Sequence, residues 1–134
     1  MTPTAWDDLP NAKHIDRILA DLKRNPYNWG AAWTAARNAA WNAAMTAARN
    51  AAWSAERYAA WDAARTAAWS AARTAASDAA FNTAWGAILA LIAYDDCAYL
   101  LDEKPEHVQI LALLGNEKAI LLYPACVAMQ KEMA

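Results

Sequence analysis

A four-residue repeat extends from Ala31 to Ala87 and constrains the fold more than any other feature of the chain. Each unit holds two alanines, one large residue and one small polar residue, as in the segment AAWTAARNAAWN. Alanine has the highest helix propensity and is depleted in strands, so the repeat predicts helix. No proline interrupts it, and its first glycine is Gly86.

The period of four determines how such helices can pack. Four residues overshoot one helical turn by about 40°, so each row of equivalent residues spirals around the helix. Long helices can follow this spiral by supercoiling right-handedly, or short helices can cross at roughly −50° with alanines at the contact. One helix over residues 31–100 would be about 105 Å long. A compact domain of this length has a radius of gyration near 14 Å, so we favour short helices. We expect divisions near Arg49–Asn50, Ser77–Asp78 and Asn82–Gly86.

The predicted fold class is all-α, an alanine-rich, closely packed helical bundle with an aliphatic C-terminal helical subdomain. The 134 residues predict a single domain. Its parts are an N-terminal arm and short helix (1–30), the tetrad-repeat helices (31–86) and the C-terminal helices (87–134).

The segments on either side of the repeat carry ordinary helix signals. Pro10 and Asn11 begin a short helix that stops at Asn25–Pro26, and Tyr27–Gly30 is predicted as a turn. Trp6 is expected to hold the N-terminal arm by packing.

The C-terminal third predicts three helices. The first covers Ala87 to about Leu101. Pro105 suits the first turn of the second, which covers Glu106 to Leu114 and closes at Gly115. The last is capped by Asn116 and is expected to be kinked or split at Pro124.

The third row of the repeat alternates indole and guanidinium groups. Indoles stack on nucleobases with about 1–3 kcal/mol per base, and the guanidinium fork grips phosphate. The sequence therefore predicts a non-enzymatic protein that binds a small anionic, nucleotide-like ligand between its helices. The predicted contacts are Trp33, Arg37, Trp41, Arg49, Trp53, Arg57, Trp61, Arg65, Trp69 and Arg73.

The same row has a second interpretation, which the sequence leaves open. Tryptophan fills the space that alanine leaves, while arginine lays its stem on the indole and keeps its head in water. Such cation–π contacts contribute about 0.5–2 kcal/mol each. The ladders are then packing, and the chain is a protein–protein interaction or assembly module.

Asp95 and Asp96 are secondary ligand candidates. On the predicted helix, adjacent carboxylates point about 100° apart and form no catalytic dyad. Either one is a ligand contact, a solvated group or the partner of a repeat arginine in the core. An enzyme would have to use these two residues with His107 and the cysteines, which share no recognised spacing. We therefore predict no catalytic residue, no cofactor and no metal site.

Charge distribution bears on the partners. The chain has a net charge of −2, but residues 31–85 carry +2 and residues 86–134 carry −4. This balance argues against long nucleic acid and anionic membranes. The apolar run Ala87–Ala93 is too short to span a bilayer, and the N-terminus lacks signal-peptide features, so a cytoplasmic location is expected. Few charges on tryptophan-rich helices also predict a homo-oligomer.

In its AAWDAARTAAWS tetrads and the aliphatic segment that follows, the chain resembles uncharacterised alanine-rich proteins of phages and bacteria. The resemblance covers residues 31–125 and implies a phage or mobile-element origin. It also implies action by binding, either to a host protein or to a host signal molecule. Helical antifreeze proteins are less similar, because they use a flat face with an 11-residue threonine period.

Overall fold

Helices form all the regular structure in the residues that the structure describes. This computed structural model describes residues 5–36, 39–52, 58–76 and 78–130. No strand occurs among them, and the predicted all-α class is confirmed. In chain order the elements are α1 (Ala12–Arg24), α2 (Pro26–Ala36), α3 (Ala39–Ala52), α4 (Tyr58–Ala75), α5 (Asp78–Ala93), a 3-10 helix (Ala98–Asp102), α6 (Pro105–Leu113) and α7 (Glu117–Gln130).

Helix α5 lies at the centre of the bundle. It contacts α1, α2, α3, α4 and α7, and every residue from Thr83 to Ala93 is buried. A helix that is apolar on all sides leaves no face for water and has to be covered all round. Helix α7 is the second centre and packs on α2, α3, α5 and α6. The repeat helices and the aliphatic C-terminal helices therefore share one hydrophobic core.

The second alanine row of the repeat is the row that packs. Within α3 and within α4 its buried members span eight residues, so the row drifts by only about 80° around each helix. Each new helix turns the row back toward the core, which a single straight rod could not do. The predicted division of the repeat into short helices with buried alanine rows is confirmed. The buried members are Ala32, Ala44, Ala48, Ala52, Ala64, Ala68, Ala72, Ala80 and Ala84.

The predicted divisions of the repeat have mixed outcomes. The division at Ser77–Asp78 is confirmed, since α4 ends at Ala75 and α5 begins at Asp78. The division near Arg49–Asn50 is too early, because α3 continues to Ala52; residues 53–57 lie outside the described residues.

The division at Asn82–Gly86 is wrong, because α5 runs through both residues. Gly86 ends no helix. A Cβ at this position would lie 2.9 Å from Nε1 of Trp41, so the glycine makes room for an indole from α3.

The N-terminal helix ends as predicted, but the turn at Tyr27–Gly30 is wrong. Helix α2 begins at Pro26, whose fixed φ and missing N–H suit the first helical position. The helix therefore includes Trp29, which is fully buried. Trp6 is also buried and donates a hydrogen bond to Asp16 at 2.8 Å, so its predicted role in holding the arm is confirmed.

The helix predicted from Ala87 to Leu101 is too long. Helix α5 ends at Ala93, a turn follows, and the 3-10 helix begins at Ala98. The buried carboxamide of Asn11 donates to the carbonyl oxygens of Leu91 and Tyr94, at 3.0 and 2.8 Å. These bonds satisfy carbonyl groups that the end of α5 leaves without helical partners, so a residue 80 positions away stabilises the helix end.

The remaining C-terminal signals are confirmed except at one proline. Pro105 opens α6, and Gly115 closes it with a φ of +89°. The side-chain oxygen of Asn116 accepts a hydrogen bond from the Ala119 N–H at 3.0 Å and caps α7. Helix α7 runs through Pro124, so of the two predicted outcomes, a kink or a split, the split is wrong.

Candidate functional site

The third-row side chains do not all fall within the described residues. Arg37, Trp53 and Arg57 lie outside them, and Trp61 belongs to α4 without a described side chain. The remaining predicted contacts are Trp33, Trp41, Arg49, Arg65, Trp69 and Arg73.

Two indoles of the row pack inside the protein. The ring centroids of Trp33 and Trp41 are 5.1 Å apart in a T-shaped arrangement. Trp41 is buried, and its ring also lies against the backbone of Gly86. These two tryptophans therefore join α2 and α3 to the central helix.

A second aromatic cluster joins α4 to α5. The ring of Phe81 meets Trp69 edge-on at 5.4 Å and stacks on Trp85 at 6.4 Å. The guanidinium of Arg73 lies over Phe81, 5.0 Å from the ring centroid. A cation–π contact therefore forms as the row predicts, but its ring belongs to the neighbouring helix. Trp69 remains 41% exposed at the edge of the cluster.

The other described arginines of the row lie at the surface. Arg49 is exposed on α3, and Arg65 forms an ion pair with Asp62 at 3.2 Å on α4. An exposed ion pair of this kind contributes about 0–1 kcal/mol.

A groove of about 540 Å³ lies between α1 and α4. We call it the α1–α4 groove; its described lining is Lys23, Ser70, Ala71, Thr74 and Ala75. The groove offers one cation and two hydroxyls over an alanine floor. Its α4 residues come from the first alanine row and the small polar row, and Ser70 and Thr74 directly follow Trp69 and Arg73 of the Trp/Arg row in sequence.

Asp95 and Asp96 lie in the turn after α5 and are both exposed, so the prediction that they lie on a helix is wrong. Asp96 accepts a hydrogen bond from Lys118 at 2.9 Å. That bond holds the pKa of Asp96 below its usual range and raises the pKa of Lys118. Lys118 also lies 5.2 Å from the ring centroid of Tyr94. The cation beside Asp96 thus comes from α7 and is not a repeat arginine in the core.

Sequence reasoning missed a buried polar cluster on α1. Asp21 is buried and accepts a 2.7 Å hydrogen bond from the indole N–H of Trp29. Arg24 and Asn25 also donate to this carboxylate, each at 3.3 Å. The available signal was an aspartate on the apolar face between Ile18 and Leu22. The cluster ties the end of α1 to α2, which is a structural role.

The two cysteines are buried free thiols. Cys97 Sγ lies 3.5 and 3.4 Å from the carbonyl oxygens of Ala90 and Tyr94, and Cys126 Sγ lies 3.2 Å from that of Leu100. Burial raises the pKa of each thiol to about 12, which keeps it protonated and unreactive at neutral pH.

The other groups that an enzyme would need are also dispersed. His107 is exposed, and its Nδ1 lies 3.8 Å from Glu103 on the outside of the bundle. Across the described ranges, no three His, Cys, Asp or Glu side chains come together as metal ligands.

Among the described residues, a group of exposed apolar side chains lies on and beside α6. Four large apolar side chains are exposed there and in the adjacent 3-10 helix: Tyr99 (58%), Ile110 (55%), Leu113 (80%) and Leu114 (78%). We call these four residues the α6 surface. A groove of about 310 Å³, which we call the α6 groove, adjoins it and is lined by Tyr99, Glu103, His107, Ile110 and Leu111. The signal in the sequence was the 110, 113, 114 spacing, which places three aliphatic residues together on the helix side opposite buried Val108.

No family model matches the chain, and neither curated proteins nor solved structures give a significant match. Among the described residues, no helix combines the length and the apolar character needed to cross a membrane.

Proposed function

We propose that this chain is a non-enzymatic protein-interaction or assembly module, and that it binds another polypeptide through the α6 surface. One observation carries the proposal: four large apolar side chains adjoin an apolar groove on one exposed face. Contiguous exposed apolar patches of this kind are typical of interaction sites. Full burial of one Leu or Ile side chain is worth about 1.5–3 kcal/mol, so covering this face is strongly favourable.

The described part of the Trp/Arg row supports this proposal. Trp33 and Trp41 contact each other, and Trp69 and Arg73 contact Phe81. These groups already have partners within the bundle. Packing therefore accounts for them without a ligand, which favours the assembly interpretation of the row.

Site-specific photo-crosslinking tests the proposal. When a photoreactive amino acid replaces Leu113 in cells whose genome encodes this protein, we expect a covalent adduct with a polypeptide. The matched control is Thr66, an exposed residue of α4 outside the α6 surface. Adducts from Thr66 and none from Leu113 would contradict the proposal.

A second candidate function is sequestration of a small anionic, nucleotide-type ligand in the α1–α4 groove. Lys23 supplies a positive charge, and Ser70 and Thr74 supply hydroxyls for phosphate or ribose. Trp69 and Arg73, one residue before each hydroxyl, lie at about 100° around α4 from it. The exposed part of the Trp69 ring is available for stacking on a base.

Thermal unfolding with mono-, di- and cyclic nucleotides tests this candidate. Ligand at 100 times its dissociation constant adds about 2.7 kcal/mol to the free energy of unfolding. The shift should be lost in Lys23→Ala and kept in Lys13→Ala, a matched exposed lysine on the same helix. No shift across the panel would exclude binding by this class.

We also propose that the chain comes from a phage or a bacterium and acts in the cytoplasm, on a host protein or on its own copies. The resemblance of the tetrad repeat supports the origin. Two buried free thiols support the location, because disulfides are rare in reducing compartments.

A further inference from the structure

We propose that the polypeptide bound by the α6 surface is a second copy of this chain. Two α6 helices pack antiparallel around a twofold axis beside Ile110, and Leu114 of each copy enters the α6 groove of the other. This inference rests on the proposed function, because it names the partner of the same surface.

The surface is complementary to itself. Leu114 lies four residues after Ile110, about 6 Å along the helix axis. A twofold axis at Ile110 places Leu114 opposite position 106 of the second copy. That position is next to His107, which lines the groove. Leu114 and the groove residues Leu111 and His107 are three and seven residues apart, so they lie on the same side of the helix. In an antiparallel pair related by a twofold axis, each side of one α6 helix faces the same side of the other α6 helix. Both grooves are therefore filled at once.

Charge favours this orientation over a parallel one. In a parallel pair, Glu103 and Glu106 would meet their own copies, and the leucines would meet leucines and leave the grooves empty. In the antiparallel pair the two Glu106 residues are eight positions apart along the helix, about 12 Å. This exceeds the Debye length of about 8 Å at physiological salt, so their repulsion is screened. The two helix dipoles are also opposed.

The area of α6 limits the size of the interface. A standard interface takes about 800 Å² from each partner, which is about a ninth of this chain's 7105 Å² of surface. Helix α6 is nine residues long, about 14 Å, and Tyr99 widens the contact. This is an interface at the small end of the range, which is typical of weak and transient pairs, so we expect a dimer that dissociates on dilution.

Mass in solution across a dilution series tests the proposal. The wild type should change from 14.6 kDa to twice that mass as concentration rises. Leu114→Lys should stay monomeric, while Thr66→Lys, the control on α4, should dimerise like the wild type. Both positions are exposed, so the circular dichroism should be unchanged, and so should the melting temperature at concentrations where the wild type is monomeric. A wild type that stays monomeric throughout would overturn the proposal, and so would a dimer that Leu114→Lys leaves intact.

A cysteine placed at the axis tests the geometry. Ile110→Cys should form a disulfide-linked dimer in air, because a residue beside a twofold axis meets its own copy. Leu114→Cys should not, because the two copies of position 114 meet only in a parallel pair. Thr66→Cys should not, and the native thiols are buried and do not compete. A dimer in which Ile110→Cys fails to cross-link would overturn the antiparallel pair.

These results are distinguishable from failure of the proposed function. If the chain is monomeric but Leu113 photo-crosslinks to a different polypeptide, the second copy is excluded and the interaction module stands. If Leu113 gives no adduct of either kind, both fail.

Discussion

Two glycines inside helices give opposite expectations for the same substitution. Gly86 lies within α5 against the indole of Trp41, whereas Gly30 lies within α2, where an added Cβ would meet nothing within 4 Å. In an open helix interior, Gly→Ala stabilises by about 0.8–1 kcal/mol through helix propensity. We expect this full gain at Gly30.

At Gly86 the same gain is opposed by a steric clash. A Cβ there would lie 2.9, 3.0 and 3.2 Å from three atoms of the Trp41 ring, which is rigid and cannot bend away. Overpacking a core costs about 1–3 kcal/mol. Moving the ring also disturbs its edge-on contact with Trp33, and aromatic pairs of this kind are worth about 0.5–1.5 kcal/mol. We therefore expect Gly86→Ala to destabilise the protein by about 1–2 kcal/mol net.

Urea unfolding of the two variants measures this difference, and a double mutant identifies its cause. In a Trp41→Ala background the ring is absent, so Gly86→Ala should become neutral or stabilising. If Gly86→Ala and Gly30→Ala stabilise the wild type equally, then α3 does not press its indole on α5 and this packing of the two helices is wrong. If Gly86→Ala destabilises equally with and without Trp41, the clash is not with the indole.

Three further predictions test individual contacts. Asn11→Ala should destabilise by about 1–3 kcal/mol, because it removes the carboxamide donor from the carbonyl oxygens of Leu91 and Tyr94, of which only Tyr94 keeps a contact with the Cys97 thiol. Asn42→Ala, at an exposed site on α3, is the control for urea unfolding. Trp29→Phe should lower the free energy of unfolding by about 1–3 kcal/mol, because it removes the 2.7 Å hydrogen bond to buried Asp21. If this loss comes from the buried charge that the indole no longer satisfies, Asp21→Asn in the same background should recover part of the stability. Cys97 and Cys126 should not react with a thiol reagent at pH 8 until the protein is unfolded. Folding raises the pKa of both thiols from 9.0 to about 12, so their burial stabilises the folded state fully below pH 9 and less as the pH rises toward 12. The variant with alanine at both positions should therefore lose less free energy of unfolding between pH 9 and 12 than the wild type. An equal loss in the two proteins would contradict the raised pKa values.

The sequence predicted what depends on local chemistry. Alanine content predicted helix, and the proline, glycine and asparagine at 105, 115 and 116 placed the ends of α6 and α7. Each of these signals acts within one turn of the chain, so no distant contact had to be known.

The errors arise where distant contacts override local signals. Gly86 looked like a helix end, but it is the contact point for an indole 45 residues earlier in the chain. The end of α5 at Ala93 is stabilised by Asn11, which lies directly before α1 and 80 residues before Leu91.

The candidate site was predicted less well than the fold. The row of Trp69 and Arg73 was identified, but its contact with Phe81 depends on how α4 is rotated against α5, and a spiralling row does not determine that rotation. The α6 surface is visible in the sequence as apolar residues on both sides of a short helix. Only packing on α7 decides which of those residues remain exposed.

Hydrogen exchange along the chain compares the two proposed sites in one experiment. We expect the amides of residues 106–113 in α6 to gain protection as protein concentration rises, while those of Tyr58–Ala75 keep the same exchange rates with or without added nucleotides. Protection that instead appears along Tyr58–Ala75 when nucleotides are added, with residues 106–113 unchanged at every concentration, would contradict binding of a second copy through the α6 surface and would favour the α1–α4 groove.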